Sequence, residues 1–297
     1  MSFSEDEFIR WVTEPVLTAA GGGLPAVPAL QVGPGDDAAV LADGTILCVD
    51  TVVEGVHFTK NAPPQSIARK ALGACLSDVC AMGAVAEAVL VSVQLAPGWD
   101  ARALASGLRL WAQRFGVAMA GGDTVGAGVG GLAVSVTATG RLPEGADPWL
   151  RSGAQPGDLL VVSGPLGGSR SGRHLDVSPR ADLVSVLRLS DTPVHAAMDL
   201  SDGLAVDLPR LLAASGVGAV IHGATVPIHS DVPAGGERLN AALADGEDFE
   251  LLLSLDGGCT APAGTTIIGR ITESGLTLRD AQGCELPWPS RGFTHVF

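Results

Sequence analysis

The chain has 297 residues, with 18 Lys+Arg against 32 Asp+Glu and a net charge of −14. That acidity argues against nucleic acid or an anionic membrane as partner, since both ask for a basic surface. Apolar residues at 46% against charged residues at 17% exclude a disordered chain.

The length allows one large domain or two of about 150 residues. Mean hydropathy is +0.34, but the longest uncharged run, Leu211 to Ser230, contains Gly216, Gly218, His222, Gly223 and Pro227. Such a run cannot span a bilayer as a helix. The opening MSFSEDEFIRW has neither a basic n-region nor an apolar stretch, so no secretory leader is expected. Five cysteines without a Cys-x-x-Cys pair read as scattered reduced thiols of a cytoplasmic protein.

Strand patterns fall at Thr45–Val53, Ala88–Leu95, Leu132–Leu142, Asp158–Ser163, Phe249–Leu255 and Thr265–Ile271. Helical spacing marks Ser66–Met82, with Ser66 as a capping serine, Asp100–Phe115, and Asp202–Ala214 after Ser201. The alternation lacks the regular rhythm of a doubly wound sheet, so a mixed α/β fold in two halves is expected. Pro, Gly and Asp cluster at Pro143–Gly157, which places the boundary between 1–145 and 146–297.

The chemistry lies in the aspartates. They sit beside glycines or at strand ends, inside apolar sequence: Gly35-Asp36-Asp37, Val49-Asp50-Thr51, Leu76-Ser77-Asp78, Gly121-Gly122-Asp123 and Met198-Asp199-Leu200-Ser201-Asp202-Gly203. Taken singly, each is a turn or a helix cap. Five such places with few Lys or Arg close by in sequence point to divalent cations as partners, and oxygen-only ligands favour Mg²⁺ or Ca²⁺ over Zn²⁺. An anionic polyphosphate would then be held through the metals. The glycines at 121–122 and 126–131 would let backbone N–H groups approach it. Gly128–Ala133 matches GxGxxA, but the strand beginning at Leu132 removes the strand–turn–helix context that a dinucleotide fingerprint needs.

Other schemes are missing from the sequence. The two lysines, Lys60 and Lys70, follow no glycine-rich phosphate loop, and tyrosine is absent. There is no His-Glu-x-x-His, Gly-x-Ser-x-Gly or His-Arg-Asp motif. His57, just after a strand, and Glu247, entering another, read on their own as ordinary surface residues.

The stretches GDDAAV (35–40), DTVVEGVHF (50–58), ARKALGACLSDVCAMGA (68–84), GGDT (121–124), RSGAQPGD (151–158), AMDLSDGLAVDL (197–208) and ALADGEDFELLL (242–253), in this order, resemble the thiamine-monophosphate kinases. These belong to the superfamily of aminoimidazole ribonucleotide synthetase. The resemblance implies an N-terminal half-barrel domain that pairs with a second copy in a homodimer, and a C-terminal α/β domain beside it. It implies ATP-dependent phosphorylation of thiamine monophosphate to thiamine diphosphate with several Mg²⁺ ions. Carried over residue by residue, the metal ligands are Asp37, Asp50, Asp78, Asp123, Asp199 and Asp202. ATP would meet Gly121, Gly122, Asp123, Arg151 and Ser201. Thiamine monophosphate would meet His57, Glu247 and a C-terminal aromatic, Trp288 or Phe293. No catalytic residue beyond the metal ligands is implied.

Three places depart from the family pattern. Cys48 and Val49 precede Asp50 where a hydroxyl residue is usual, Gly168 replaces an acid, and the connection from Gly172 to Ala197 is short, as if a helix were missing. Two other readings therefore stand beside the kinase: a superfamily enzyme acting on another acceptor, and a catalytically silent nucleotide-binding module.

Overall fold

Alternation between buried and exposed positions in the first half of the chain yields a five-stranded sheet. Its order is β1 (Ala39–Val40), β2 (Thr45–Val53), β5 (Ala133–Arg141), β3 (Val85–Leu95) and β4 (Ala118–Gly126). All neighbours are antiparallel except β3 and β4. The computed structural model describes residues 30–128 and 130–289. On one face, Ile46, Cys48, Val52, Val89, Val91, Val134 and Val136 are buried in a core with helices α1 (Pro64–Ala81) and α2 (Ala101–Arg114). The other face is open: Val49 is 64% exposed and Leu90 49%.

The helix starts show how local chemistry was reassigned. α1 begins at Pro64, two residues before the expected serine cap, because proline's fixed φ suits a first helical position that needs no N–H. α2 begins as expected, with the Asp100 carboxylate accepting from the Ala103 N–H at 2.9 Å. β4 was not expected as a strand: its Ala-Met-Ala-Gly-Gly sequence carries no strand signal. Gly122 there has φ +154°, and a Cβ would lie 1.8 Å from the Val91 carbonyl oxygen. Glycine at 122 is thus required by the approach of β4 to β3, ligand or not.

A second sheet has the order β12 (Glu285–Leu286), β11 (Leu276–Arg279), β8 (Gly218–His222), β10 (Thr266–Thr272), β6 (Leu159–Val162), β9 (Leu251–Leu255) and β7 (Val194–Asp199). Every residue of β6 and β9 is buried, so both faces of this sheet are covered. Leu204, Leu208, Leu211 and Leu212 of α4 (Leu204–Ser215) join the core of one face. On the other, Leu183, Val184 and Leu187 of α3 (Ala181–Leu189) meet Cys80 and Ala81 at the end of α1. The short connection expected to lack a helix holds two 3-10 turns, Ser169–Ser171 and Arg173–Leu175, followed by α3. α5 (Arg238–Ala244) precedes β9.

Ser201 does not cap α4: the helix starts at Leu204 after Gly203, whose φ is +96°, and the Ser201 carbonyl accepts instead from the Glu247 N–H. Nor are all the cysteines scattered. The Cys48 and Cys75 sulfurs lie 3.6 Å apart between β2 and α1 as free thiols. Among the described residues no helix is long and apolar enough to cross a membrane.

Candidate active site

α1 carries the seam between the two sheets. Lys70, Ala74 and Asp78 recur at four-residue intervals and so share one face of this helix. Ala74 packs with Val177 and Phe249 of the second half. A Cβ on Gly73 would sit 2.7 Å from Val177, so the close approach of the 173–180 strap depends on that glycine. Arg69 secures the strap by donating to the Val177 carbonyl at 2.9 Å and the Ser178 hydroxyl at 2.7 Å.

At the C-terminal end of this seam three carboxylates converge. Oxygens of Asp37, Asp78 and Asp199 all lie within 4.8 Å of one another. Asp37 follows the Gly35 turn, Asp78 sits on α1, and Asp199 ends β7. Burial pushes the Asp78 carboxyl well above the usual carboxylate range, and the charges on Asp199, Asp37 and Asp50 push it the same way. Asp199 is raised for the same reasons, with burial first and Asp37 next. Asp37 is also raised by burial, against the pull of Arg151, whose guanidinium donates to it at 2.7 Å. Buried like charges at this spacing demand either protons or a cation. The other Asp37 oxygen and the Ser77 hydroxyl are buried without a hydrogen-bond partner among the described residues. An all-oxygen donor set with an orphaned carboxylate oxygen fits a hard divalent ion.

Asp50 projects from β2 on the same face as the buried Cys48 and Val52, and its charge is felt at both Asp78 and Lys70. Asp123 is elsewhere. Thr51, Ser135, Ser92 and Asp123 are in register across the sheet, which puts Asp123 on the open face. It stands three strands from Asp50, roughly 14 Å at the usual strand spacing. Within one copy, the two aspartates cannot share an ion. A groove of about 400 Å³ beside β4 lies toward the helix-covered face, lined by Val91, Leu104, Leu108, Met119 and Gly122, and Asp123 only borders it at the sheet edge.

Asp202 corrects the expectation that the acids lack cations close by. Arg210, two turns along α4, donates to Asp202 at 2.5 Å and to Asp207 at 2.9 Å, while Asp207 also accepts from the Asp202 N–H. Asp37, through Arg151, is the second acid with an arginine.

His57 is oriented by its own turn, its Nδ1 accepting from the Val53 N–H at 3.0 Å. Glu247 sits in a left-handed backbone conformation, φ +56°, as does Phe249 at +50°. Trp288 packs on the second core and donates to the Ala205 carbonyl at 3.0 Å, near the Ser201–Gly203 loop in sequence. Phe293 lies outside the described residues. Sequence reading missed Lys70: it is 0% exposed and donates to the His57 carbonyl at 2.9 Å and to the Glu247 carboxylate. The signal was present, a lysine in an apolar helix eight residues before Asp78.

Residues 35–142 match the family described as AIR synthase related protein, N-terminal domain, and residues 155–259 match its C-terminal domain. The thiamine-monophosphate kinase of Rhodopirellula baltica is 40% identical over 263 residues, covering 82% of this chain and 80% of that protein. The Bacillus subtilis enzyme of the same name is 36% identical over 258 residues, covering 75% and 77%. Among solved structures, AaThiL complexed with AMPPCP and TMP superposes with a TM-score of 0.82 at 25% identity, over 99% of this chain and 97% of that one. The fold is accordingly the two-domain mixed α/β fold of these proteins, and the chain belongs to the thiamine-monophosphate kinase family.

Proposed function

We propose that this protein transfers the γ-phosphoryl group of ATP to the phosphate of thiamine monophosphate, giving thiamine diphosphate. The observation that carries the reading is the meeting of Asp37, Asp78 and Asp199 from three separate parts of the chain, within 4.8 Å of one another. Family membership and the nucleotide and substrate bound to AaThiL support the choice of donor and acceptor.

The acceptor oxygen needs no general base. A phosphate monoester has its second pKa near 6 and is largely ionised at neutral pH. The obstacle is repulsion, about 4 kcal/mol for two unit charges 4 Å apart at an effective dielectric of 20. Mg²⁺, held by Asp37, Asp78 and Asp199 with Asp50 behind them, would supply charge neutralisation and stabilise the leaving oxygen. The chain's own residues do the rest. Arg151 presents a fixed cation beside Asp37. Ser201 and Asp202, on the loop after Asp199, face the nucleotide, and His57 and Glu247 flank the acceptor. A coupled ADP-release assay with thiamine monophosphate and Mg²⁺ tests this. Turnover no faster than with other phosphomonoesters, including formylglycinamidine ribonucleotide, overturns it.

The homodimer belongs to the same reading, as do the division of the chain at 145/146 and a cytoplasmic setting. Each sheet lies wholly on its own side of that division. The open face with Val49 and Leu90 and the fully exposed edge strand β4 are surfaces a second copy would cover. A twin also resolves the distance between Asp50 and Asp123, since Gly121, Gly122 and Asp123 of one copy can then serve the acids of the other. Mixing inactive Asp50→Asn and Asp123→Asn chains should restore about a quarter of the activity, because half of the random pairs carry one intact site of two. No recovery, with exchange of chains verified, overturns the shared arrangement.

A further inference from the structure

Lys70 is unusual in its setting. A fully buried ammonium is costly, and a buried ion pair replaced as a whole by apolar residues often loses no stability. Its burial here is total, which holds its pKa below the ordinary lysine value despite the nearby carboxylates of Glu247 and Asp50. Its partners are the two residues read above as flanking the acceptor, one from each half of the chain. The His57 carbonyl accepts from Nζ at 2.9 Å, and Glu247 Oε1 takes the ion pair. The turn that carries Glu247 is strained, with φ +71° at Gly246, +56° at Glu247 and +50° at Phe249. For a non-glycine residue such a conformation persists only where surrounding contacts over-determine it. One of those contacts is the 2.6 Å hydrogen bond from the Glu247 N–H to the Ser201 carbonyl; Lys70 supplies another, through the side chain. Along α1, Lys70 lies about 12 Å from Asp78 on the same face.

We propose that Lys70 is a positioning residue for the acceptor: its ammonium fixes the Glu247 carboxylate and the His57 turn across the seam, and thereby sets affinity for thiamine monophosphate rather than for ATP. This rests on the reading of His57 and Glu247 as acceptor residues. A lysine suits the task because a compact charge with three donors can serve a carbonyl and a carboxylate at once.

The test is steady-state kinetics on the full-length protein. Wild-type turnover of thiamine monophosphate is measured first, and its absence removes the functional reading together with this inference. Given wild-type turnover, Lys70→Met should raise KM for thiamine monophosphate by about tenfold or more and leave KM for ATP within about twofold, the pattern of lost binding to one substrate. Glu247→Gln should give a similar rise, and the double variant no further loss, because the two side chains act as one unit. An unchanged KM for thiamine monophosphate, an equal rise for ATP, or additive losses overturns the inference while the kinase reading stands. If Lys70→Met does not fold, a length swap decides. Glu247→Asp withdraws the carboxylate by one methylene, and adding the longer-reaching Lys70→Arg should recover at least half of the lost affinity; no recovery overturns the inference.

Discussion

Two buried acidic groups in this molecule are built in opposite ways. In the strap region, Glu250 accepts from Ser163 at 2.6 Å, from Arg173 at 3.1 Å and from Arg180 Nε at 2.5 Å, and Asp248 accepts from Arg173 and the Gly167 N–H. Two acids meet two arginines from the chain itself. At the seam, Asp37, Asp78 and Asp199 converge with Arg151 as the cation bonded to the group. The first arrangement has an arginine for each acid, although the second Asp248 oxygen is, like one of Asp37, buried without a hydrogen-bond partner among the described residues, and it serves to anchor the 164–180 connection. The second has excess negative charge in a low-dielectric place, which folding alone would not favour. The supply of internal cations, more than the number of acids, separates a charge-balanced network from one left with excess negative charge.

The sharpest way to break this contrast is to remove one acid from each region. Asp199→Asn should lower turnover by about a hundredfold to a thousandfold, yet leave the metal-free protein as stable as before or more so, since it deletes a buried charge repelled by its neighbours. ADP release and thermal melting in chelator read the two effects. Glu250→Gln should do the reverse, costing about 3–5 kcal/mol of stability because Arg173 and Arg180 lose their partner; urea unfolding measures it. Equal destabilisation by both substitutions would erase the distinction between the regions.

Proton linkage sharpens it further. The Asp78 and Asp199 pKa values are raised in the folded state first by burial, then by neighbouring acids, Asp199 and Asp37 acting on Asp78, and Asp37 and Asp207 on Asp199. Between the unfolded value near 4 and the raised folded values, the native protein binds more protons than the unfolded chain, so this cluster's contribution to stability falls as pH rises through that window. In chelator, the melting temperature of Asp199→Asn minus that of wild type should therefore grow from pH 4 to pH 8. Mg²⁺ should shrink the difference by binding the native wild type. A difference that is flat with pH would mean the carboxylates are compensated by something other than a cation.

Sequence made the aspartates legible because acids beside glycines in apolar strands are conspicuous one by one. Which of them meet was not legible. Asp37 and Asp199 are separated by most of the chain, and only the packing of α1 against β7 and β9 brings Asp78 between them. Arg210 is eight residues from Asp202, and one look along α4 would have paired it with Asp207 at i,i+3, but the loop at Ser201–Gly203 turns Asp202 back onto the same guanidinium. β4 escaped because glycine and alanine carry no strand preference, and its pairing depends on β3 accepting a strand with no side chain at 122. Strands β2, β5 and β9 were legible from their alternating or continuous apolar runs, which survive to within a residue or two.

Asp202 is the intermediate case, and the smallest of the expected effects. It was expected as a metal ligand on its resemblance, and it carries an arginine of its own, with the Asp202 side chain 21% exposed and that of Arg210 41%. If its role is set by compensation, Asp202 belongs mainly with the paired acids. It then reaches the nucleotide side only when the charge of a bound polyphosphate competes for Arg210. Asp202→Asn should then raise the Mg²⁺ concentration needed for half-maximal rate by a few-fold only, since an exposed ion pair contributes about 1 kcal/mol or less. Arg210→Met should lower that concentration, because it releases the carboxylate. The same direction of change in both variants would place the two side chains on one side of the balance and assign Asp202 to the uncompensated cluster with Asp199.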